Sequence, residues 1–305
     1  MRPTGEQYEI TSGDYRAVVT QVGGGLRLLT HGGRNLVATF AEDQVTQLYR
    51  GAVLVPWPNR VASGRYTFDG TEYQLPINEP PPREHALHGL VLFLEWRPVR
   101  RDASSVTVGT RLWPQTGYPF LLDFEVTYAL SADAGLAWTI AAVNSGDRPA
   151  PYGCSIHPYV VAGEGKVDDW TLRLPAASWV DVDARLLPAG TKPVADHEFD
   201  FRAGKQIGAT EVDHAFTDVE FGADGRAVAQ LLAADGSGVQ VTWDSSCPWV
   251  QVHTADRPEP ENNRVGLALE PMTCPPDAFN SGTDLAVLEP GARHEVTWHI
   301  AAVPA

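Results

Sequence analysis

The sequence predicts an all-β fold, a large twisted antiparallel β-sandwich formed as one domain over residues 1–305. Three observations lead there. Glycine (28) and proline (24) are numerous and punctuate short runs rich in Val, Thr, Trp and Leu, the pattern of strands bounded by turns. Several of these runs alternate apolar and polar residues, as a sheet with one buried face requires. Helical periodicity is weak throughout, with a short turn at Pro276-Asp277-Ala278-Phe279 as its one credible site.

Taken in order, Tyr15 to Val22 reads as a strand ending at the turn Gly23-Gly24-Gly25. Gly64 to Phe68 and Thr71 to Leu75 flank Asp69-Gly70, a strong hairpin signal because both turn residues tolerate positive φ. Ser105 to Trp113, Phe120 to Leu130 and Leu136 to Asn144 follow as a meander, with Leu136, Trp138, Ile140 and Ala142 on one face of the last. Further strands are expected at Trp170 to Leu174, Ala227 to Ala233, Gly238 to Trp243, Trp249 to His253, Gly266 to Glu270 and His294 to Val303. Neither a repeat nor a linker marks a domain boundary, and turns recur about every 8–12 residues as in sandwiches.

Composition excludes several classes of function. A net charge of -15 and the lack of a basic stripe speak against nucleic acid as a partner. The cluster Arg97, Arg100 and Arg101 is the densest basic group. The N-terminus lacks the apolar stretch of a signal peptide, and no run approaches the roughly 18 apolar residues of a membrane span. Cys154, Cys247 and Cys274 are odd in number, far apart and not in Cys-x-x-Cys form, which suggests neither a disulfide framework nor a structural zinc site. A cytoplasmic protein with reduced thiols, monomeric or homodimeric, is expected.

Cofactor motifs fail in turn. Gly23-Gly24-Gly25 lacks the phosphate-loop pattern, and no Ser or Cys occupies a nucleophile elbow. His85 and His88 are three apart, with His157 and His253 distant, but they lie in a Pro-rich loop without the spacing of a metal site. No metal and no cofactor are expected.

What remains are polar groups set in apolar or Pro-rich stretches, where burial is costly without a purpose. Glu270 follows Gly266-Leu267-Ala268-Leu269. Partial desolvation there would raise its pKa toward that of a general base; alternatively it is the first exposed residue past a strand. His157, after Gly153-Cys154-Ser155-Ile156 and before Pro158, is either a core histidine or an acid–base group. Asn59 and Arg60 follow Pro56-Trp57-Pro58, a trio suited to a sugar, whose hydroxyls take bidentate hydrogen bonds and whose C–H face stacks on an aromatic ring. A loop anchored by an Arg ion pair has the same signature. Asp213, in Val212-Asp213-His214-Ala215-Phe216, fits a ligand or a turn before a strand.

Together these segments resemble the aldose 1-epimerase (galactose mutarotase) family. The resemblance rests on Pro58-Asn59-Arg60, His85-Ala86-Leu87-His88-Gly89, Ser155-Ile156-His157-Pro158-Tyr159, Asp213-His214-Ala215-Phe216 and Leu269-Glu270, in that order over roughly residues 10 to 300. The stretch Glu270 to Asn280, with its Pro-Asp-Ala and Asn, is especially similar. The resemblance implies a galactose mutarotase-like supersandwich with an open cleft, a free monosaccharide as substrate, Glu270 as general base and His157 as general acid. It also implies that His88 contacts the ring-oxygen region and that Asp213 and Arg60 hold sugar hydroxyls, with Asn59 near them in the substrate site.

The sequence departs from the family at Val55-Pro56-Trp57-Pro58-Asn59-Arg60-Val61, at Ile156-His157-Pro158-Tyr159-Val160-Val161 and at His253-Thr254, which marks a divergent bacterial-type branch and leaves the sugar open. Trp57, Phe93 and Trp249 are aromatic candidates for the cleft wall, or core residues. Two alternatives stand beside a mutarotase: a hexose-6-phosphate 1-epimerase, with Arg83 and Arg97 as spare cations, and a non-catalytic carbohydrate-binding protein. The charge of -15 speaks against an anionic substrate.

Overall fold

A computed structural model describes residues 2–305. Two large antiparallel sheets dominate it. The first has nine strands, in the order Arg97–Arg101, Ser105–Leu112, Leu122–Ser131, Gly135–Asn144, Arg293–Val303, Gly238–Asp244, Arg226–Leu232, Thr171–Arg173 and Lys205–Gln206. The second runs Pro188–Pro193, Ala176–Val182, Asp213–Val219, Trp249–His253, Leu267–Met272, Ser155–His157 and Ala52–Leu54, with Tyr159–Val160 pairing beside it on Leu267–Met272. A smaller four-stranded sheet, Gln7–Ser12 to Arg34–Asn35, precedes them. All-β architecture is therefore observed, with one α-helical turn among the described residues, at Ala278–Ser281.

The expected meander is present in full register, for example Tyr128 opposite Trp138 and Trp138 opposite Trp298. The Asp69-Gly70 hairpin forms with φ of 49° and 73° at its turn residues, the left-handed values that its twist demands. Sequence reading overlooked Gln7–Ser12, Leu26–His31, Ala176–Val182 and the Pro-containing strands Arg97–Arg101 and Pro188–Pro193. The two with Pro lie at sheet edges, where a missing N–H is tolerated.

Between the large sheets lies a core rich in tryptophan, with Trp138, Trp243 and Trp298 buried. The Trp298 indole N–H crosses it to donate to the Pro271 carbonyl at 3.0 Å, which also accepts from the Ser155 hydroxyl at 2.9 Å. Strand alternation decides the rest. Leu267 and Leu269, with Ile156, Val250 and Val252, join the core. The alternate residues Glu270, Gln251 and His157 therefore point to the opposite face of the second sheet, where loops cover them. That is why Gly266 to Leu269 reads as an unbroken apolar run: Leu267–Met272 is buried on both faces.

Candidate active site

On that outer face lies a cleft of about 410 Å³. Adjacent strands supply one wall in register: Gln251 is opposite Glu270, and Asp213 is opposite His253. Directly opposed residues share a face, so the pairing alone brings these four side chains together. His157 comes from the short strand Ser155–His157, and Tyr159 follows it. The other wall is loop: Tyr49, Asn59-Arg60, Glu79 to Arg83, and His88.

His157 Nε2 stands 3.3 Å from Glu270 Oε1, with both side chains almost fully buried. Glu270 is thus neither the end of a strand nor an exposed residue past one; it sits inside Leu267–Met272 at 1% exposure. Burial, reinforced by the charge of Asp213, pushes its carboxyl well above the usual range, with Arg60 opposing. Burial likewise pulls the His157 imidazole down to about 3, with His253 adding to the effect. Both shifts favour uncharged forms, so burial favours a carboxylic acid beside a neutral imidazole, with a single proton on the pair. Glu270 Oε2 and His157 Nδ1 have no partner within the protein.

His88 and Asn59 form a reciprocal contact. The Asn59 backbone N–H donates to His88 Nδ1 at 3.2 Å, and the His88 backbone N–H donates to the Asn59 carbonyl at 2.9 Å. Both residues, like neighbouring Tyr49, have left-handed φ of 56° to 62°, an uncommon conformation for non-glycine residues that concentrates at functional sites. With Nδ1 accepting, the proton of the neutral ring resides on Nε2. Burial, first, and then the charges of His157, Arg60 and His253 hold this ring well below its ordinary pKa. His88 therefore presents a neutral N–H donor.

His88, His157 and Glu270 also form the one group among the described residues whose ligand atoms lie close enough, within 4.8 Å of one another, to hold a metal ion. The fit is poor: the Asn59 N–H occupies Nδ1 of His88, and Nε2 carries the proton. A protonated nitrogen cannot ligate. The set suits proton transfer and donation to an oxygen.

Arg60 is held from both sides. Its guanidinium grips Glu79 through Nε and Nη2, each at 3.0 Å, in a buried bidentate pair. Its carbonyl accepts from the Asp277 N–H at 2.7 Å, while Asp277 Oδ1 accepts from Ala62 at 2.8 Å and from Asn280 at 2.7 Å. The Asp277 to Asn280 stretch is thus a clamp on the loop that carries Arg60. Asp213 Oδ1 accepts from Gln251 at 2.8 Å. Burial raises the Asp213 carboxyl, but His253, Arg60 and Arg83 outweigh it and hold the carboxyl low, as an anion.

The structure brings six of the seven sequence-predicted site residues together: Glu270, His157, His88, Asn59, Arg60 and Asp213 all line the cleft. Trp57 does not. It is 2% exposed and packs in the core against Phe279 and Tyr118, at centroid distances of 5.5 and 6.4 Å. Phe93 lines an adjoining apolar groove, and Trp249 a separate one, where its N–H donates to Asp284. Arg97 lies exposed on an edge strand, paired with Glu95. His85 is buried between the Ser63 N–H and the Arg185 carbonyl, outside the cleft.

Missed by sequence reading were Glu79, Gln251, Tyr49, Tyr159 and Arg257 as cleft residues. Gln251 was recoverable in principle: two residues before His253, it shares that residue's face on a strand whose neighbour carries Glu270. The loop residues left no periodic signal.

An all-β sandwich whose cleft holds a buried carboxylic acid–imidazole pair, flanked by fixed hydrogen-bonding groups, is equipped for proton transfer on a small polar molecule. The chain belongs to the aldose 1-epimerase family, whose family model matches residues 6–301. It is 38% identical to the uncharacterized protein YihR of Escherichia coli K12, over 98% of this chain and 94% of that one. It is 28% identical to the galactose mutarotase of Mus musculus, over 83% and 78% of the respective chains. A Caenorhabditis elegans GalM/aldose epimerase homologue has the same fold, with a TM-score of 0.85 at 22% identity, covering 98% of this chain and 99% of that one.

Proposed function

We propose that the protein interconverts the α and β anomers of an aldose by general acid–base opening and reclosure of the ring. The observation that carries this reading is the buried His157–Glu270 pair, 3.3 Å apart in the cleft. A hemiacetal needs two proton transfers on the same carbon's oxygens, and a pair holding one proton can perform both.

In the opening step Glu270, as carboxylate, takes the proton of the anomeric hydroxyl. The C1–O1 bond becomes a carbonyl, the C1–O5 bond breaks, and its electron pair on O5 takes the proton from His157. The pair thereby passes from carboxylate–imidazolium to carboxylic acid–imidazole. Rotation about C1–C2 presents the other carbonyl face, and the same transfers in reverse close the ring. No proton need enter from water, and the acid–imidazole form favoured by burial is the one that closes the ring. The His88 N–H suits the ring-oxygen region, while Asp213, Arg60 and Asn59 suit sugar hydroxyls. Positioned acid and base groups typically contribute about 10²–10⁴-fold each.

Retention of both members of the pair argues against a non-catalytic sugar-binding role. Polarimetry tests the proposal: freshly dissolved α-glucose or α-galactose should relax faster with the protein present, and Glu270→Gln should remove the acceleration. Unchanged relaxation with every free or phosphorylated aldose tried would refute it.

A further inference from the structure

Resting on that reading, we infer that the preferred sugar carries an anionic group on its exocyclic carbon, and that Arg257 holds it. Three arginines line the cleft: Arg60, Arg83 and Arg257. Arg60 is spent on Glu79 at 3.0 Å, and Arg83 lies 3.5 Å from the same carboxylate. Arg257 has no carboxylate partner among the described residues. Its Nη2 lies 3.4 Å from His253 Nε2, its Nε is buried without a partner, and its backbone N–H is held by Asn263 Oδ1 at 3.0 Å. The adjacent Asp256 is engaged elsewhere, bound to Arg264 at 2.5 Å and to the Thr254 hydroxyl. A half-buried guanidinium with free donors is costly unless an anion completes it.

Local charge agrees. With one proton on the His157–Glu270 pair, that pair is neutral, and Glu79 and Asp213 offset two of the three arginines. The cleft is left with one net positive charge in a chain of net charge -15. Net charge thus misleads about the substrate, because the acidic residues lie largely outside the cleft while a screened, partly buried site sees its own neighbours.

Position agrees as well. A ring oxygen placed on His157 brings C5, and the C6 it carries, to the His157 end of the cleft. Arg257 stands at that end, near enough for its charge to weigh against protonation of His157. An anion on C6 neutralises that charge and thereby favours the imidazolium form that opens the ring. Phosphate, sulfate and carboxylate share the needed chemistry, an oxyanion able to take two guanidinium N–H bonds.

Exchange NMR at anomeric equilibrium tests this, using glucose, glucose 6-phosphate, glucose 6-sulfate and glucuronate as probes. At least one anionic sugar should show a KM about tenfold or more below that of glucose, as a charge-assisted bidentate contact implies, and the arm with the lowest KM names the anion. Arg257→Gln should raise that KM about tenfold more than it raises the KM for glucose, with Arg257→Lys recovering part of the difference. Equal KM values for all four sugars, or an equal rise for neutral and anionic sugars in Arg257→Gln, would overturn the inference. Calorimetric binding to Glu270→Gln, with and without Arg257→Gln, separates the two readings. Loss of anionic-sugar binding on removing Arg257 supports the subsite even if no sugar is turned over, and unaltered binding rejects it even if glucose is.

Discussion

His157 Nε2 and Glu270 Oε1 lie 3.3 Å apart, on neighbouring strands joined through the Ser155–Met272 register pair. Burial moves their affinities for protons in opposite directions, past one another. An isolated pair with ordinary values of 6.5 and 4.5 would work only between those limits. Here the singly protonated pair persists below pH 4.5, down to about 3, and its proton leaves only well above 4.5. Rate measurements should therefore show kcat/KM unchanged as pH falls through 4.5, declining only toward about 3; a bell centred between 4.5 and 6.5 would contradict the coupling.

The same shift has a stability consequence. Glu270 binds its proton more tightly folded than unfolded, so its contribution is complete below the unfolded value of 4.5 and is lost as pH rises through the higher folded one. Glu270→Gln removes that loss. Thermal melts should show the variant gaining on wild type as pH rises above 4.5, while its exchange rate falls by at least about 10²-fold.

His88→Asn retains a residue that tolerates the left-handed backbone at φ 62° but withdraws the ring N–H. The expected result is a drop in kcat of about 10²-fold, the typical loss of one preorganised donor, with the melting temperature little altered. A variant as active as wild type would show that His88 only shapes the cleft.

Arg60→Ala leaves Glu79 buried beside Arg83, whose 3.5 Å contact is longer and whose side chain is 37% exposed. Breaking a buried pair on one side costs about 3–5 kcal/mol, and urea unfolding should report a loss in that range. Glu79→Gln combined with Arg60→Met should recover much of it, since the uncompensated charge is then gone.

Trp57 packs on Phe279 and Tyr118 and not in the cleft. Trp57→Phe should lower the melting temperature while leaving KM close to wild type. A large rise in KM at unchanged stability would return Trp57 to the sugar site.

Much of this protein was legible in its sequence because much of it depends on local rules. The Asp69-Gly70 hairpin, the meander from Ser105 to Asn144 and the strand Trp249–His253 follow from turn chemistry and alternation. The order of five short motifs singled out Glu270, His157, His88, Asn59, Arg60 and Asp213. Sequence could not decide whether Glu270 was buried, because a strand covered on both faces loses its alternation. It also placed Trp57 beside the sugar, since adjacency to Asn59-Arg60 in the chain says nothing about which way a side chain turns. Cross-strand register set Gln251 against Glu270 and His253 against Asp213. Loop packing brought in Tyr49, Glu79 and Arg257. The residue types capable of acid–base chemistry were thus determined by the sequence alone. Their shift toward uncharged forms and the lack of a carboxylate partner for Arg257 were decided by tertiary structure, because desolvation and pairing depend on what folding places within a few ångströms.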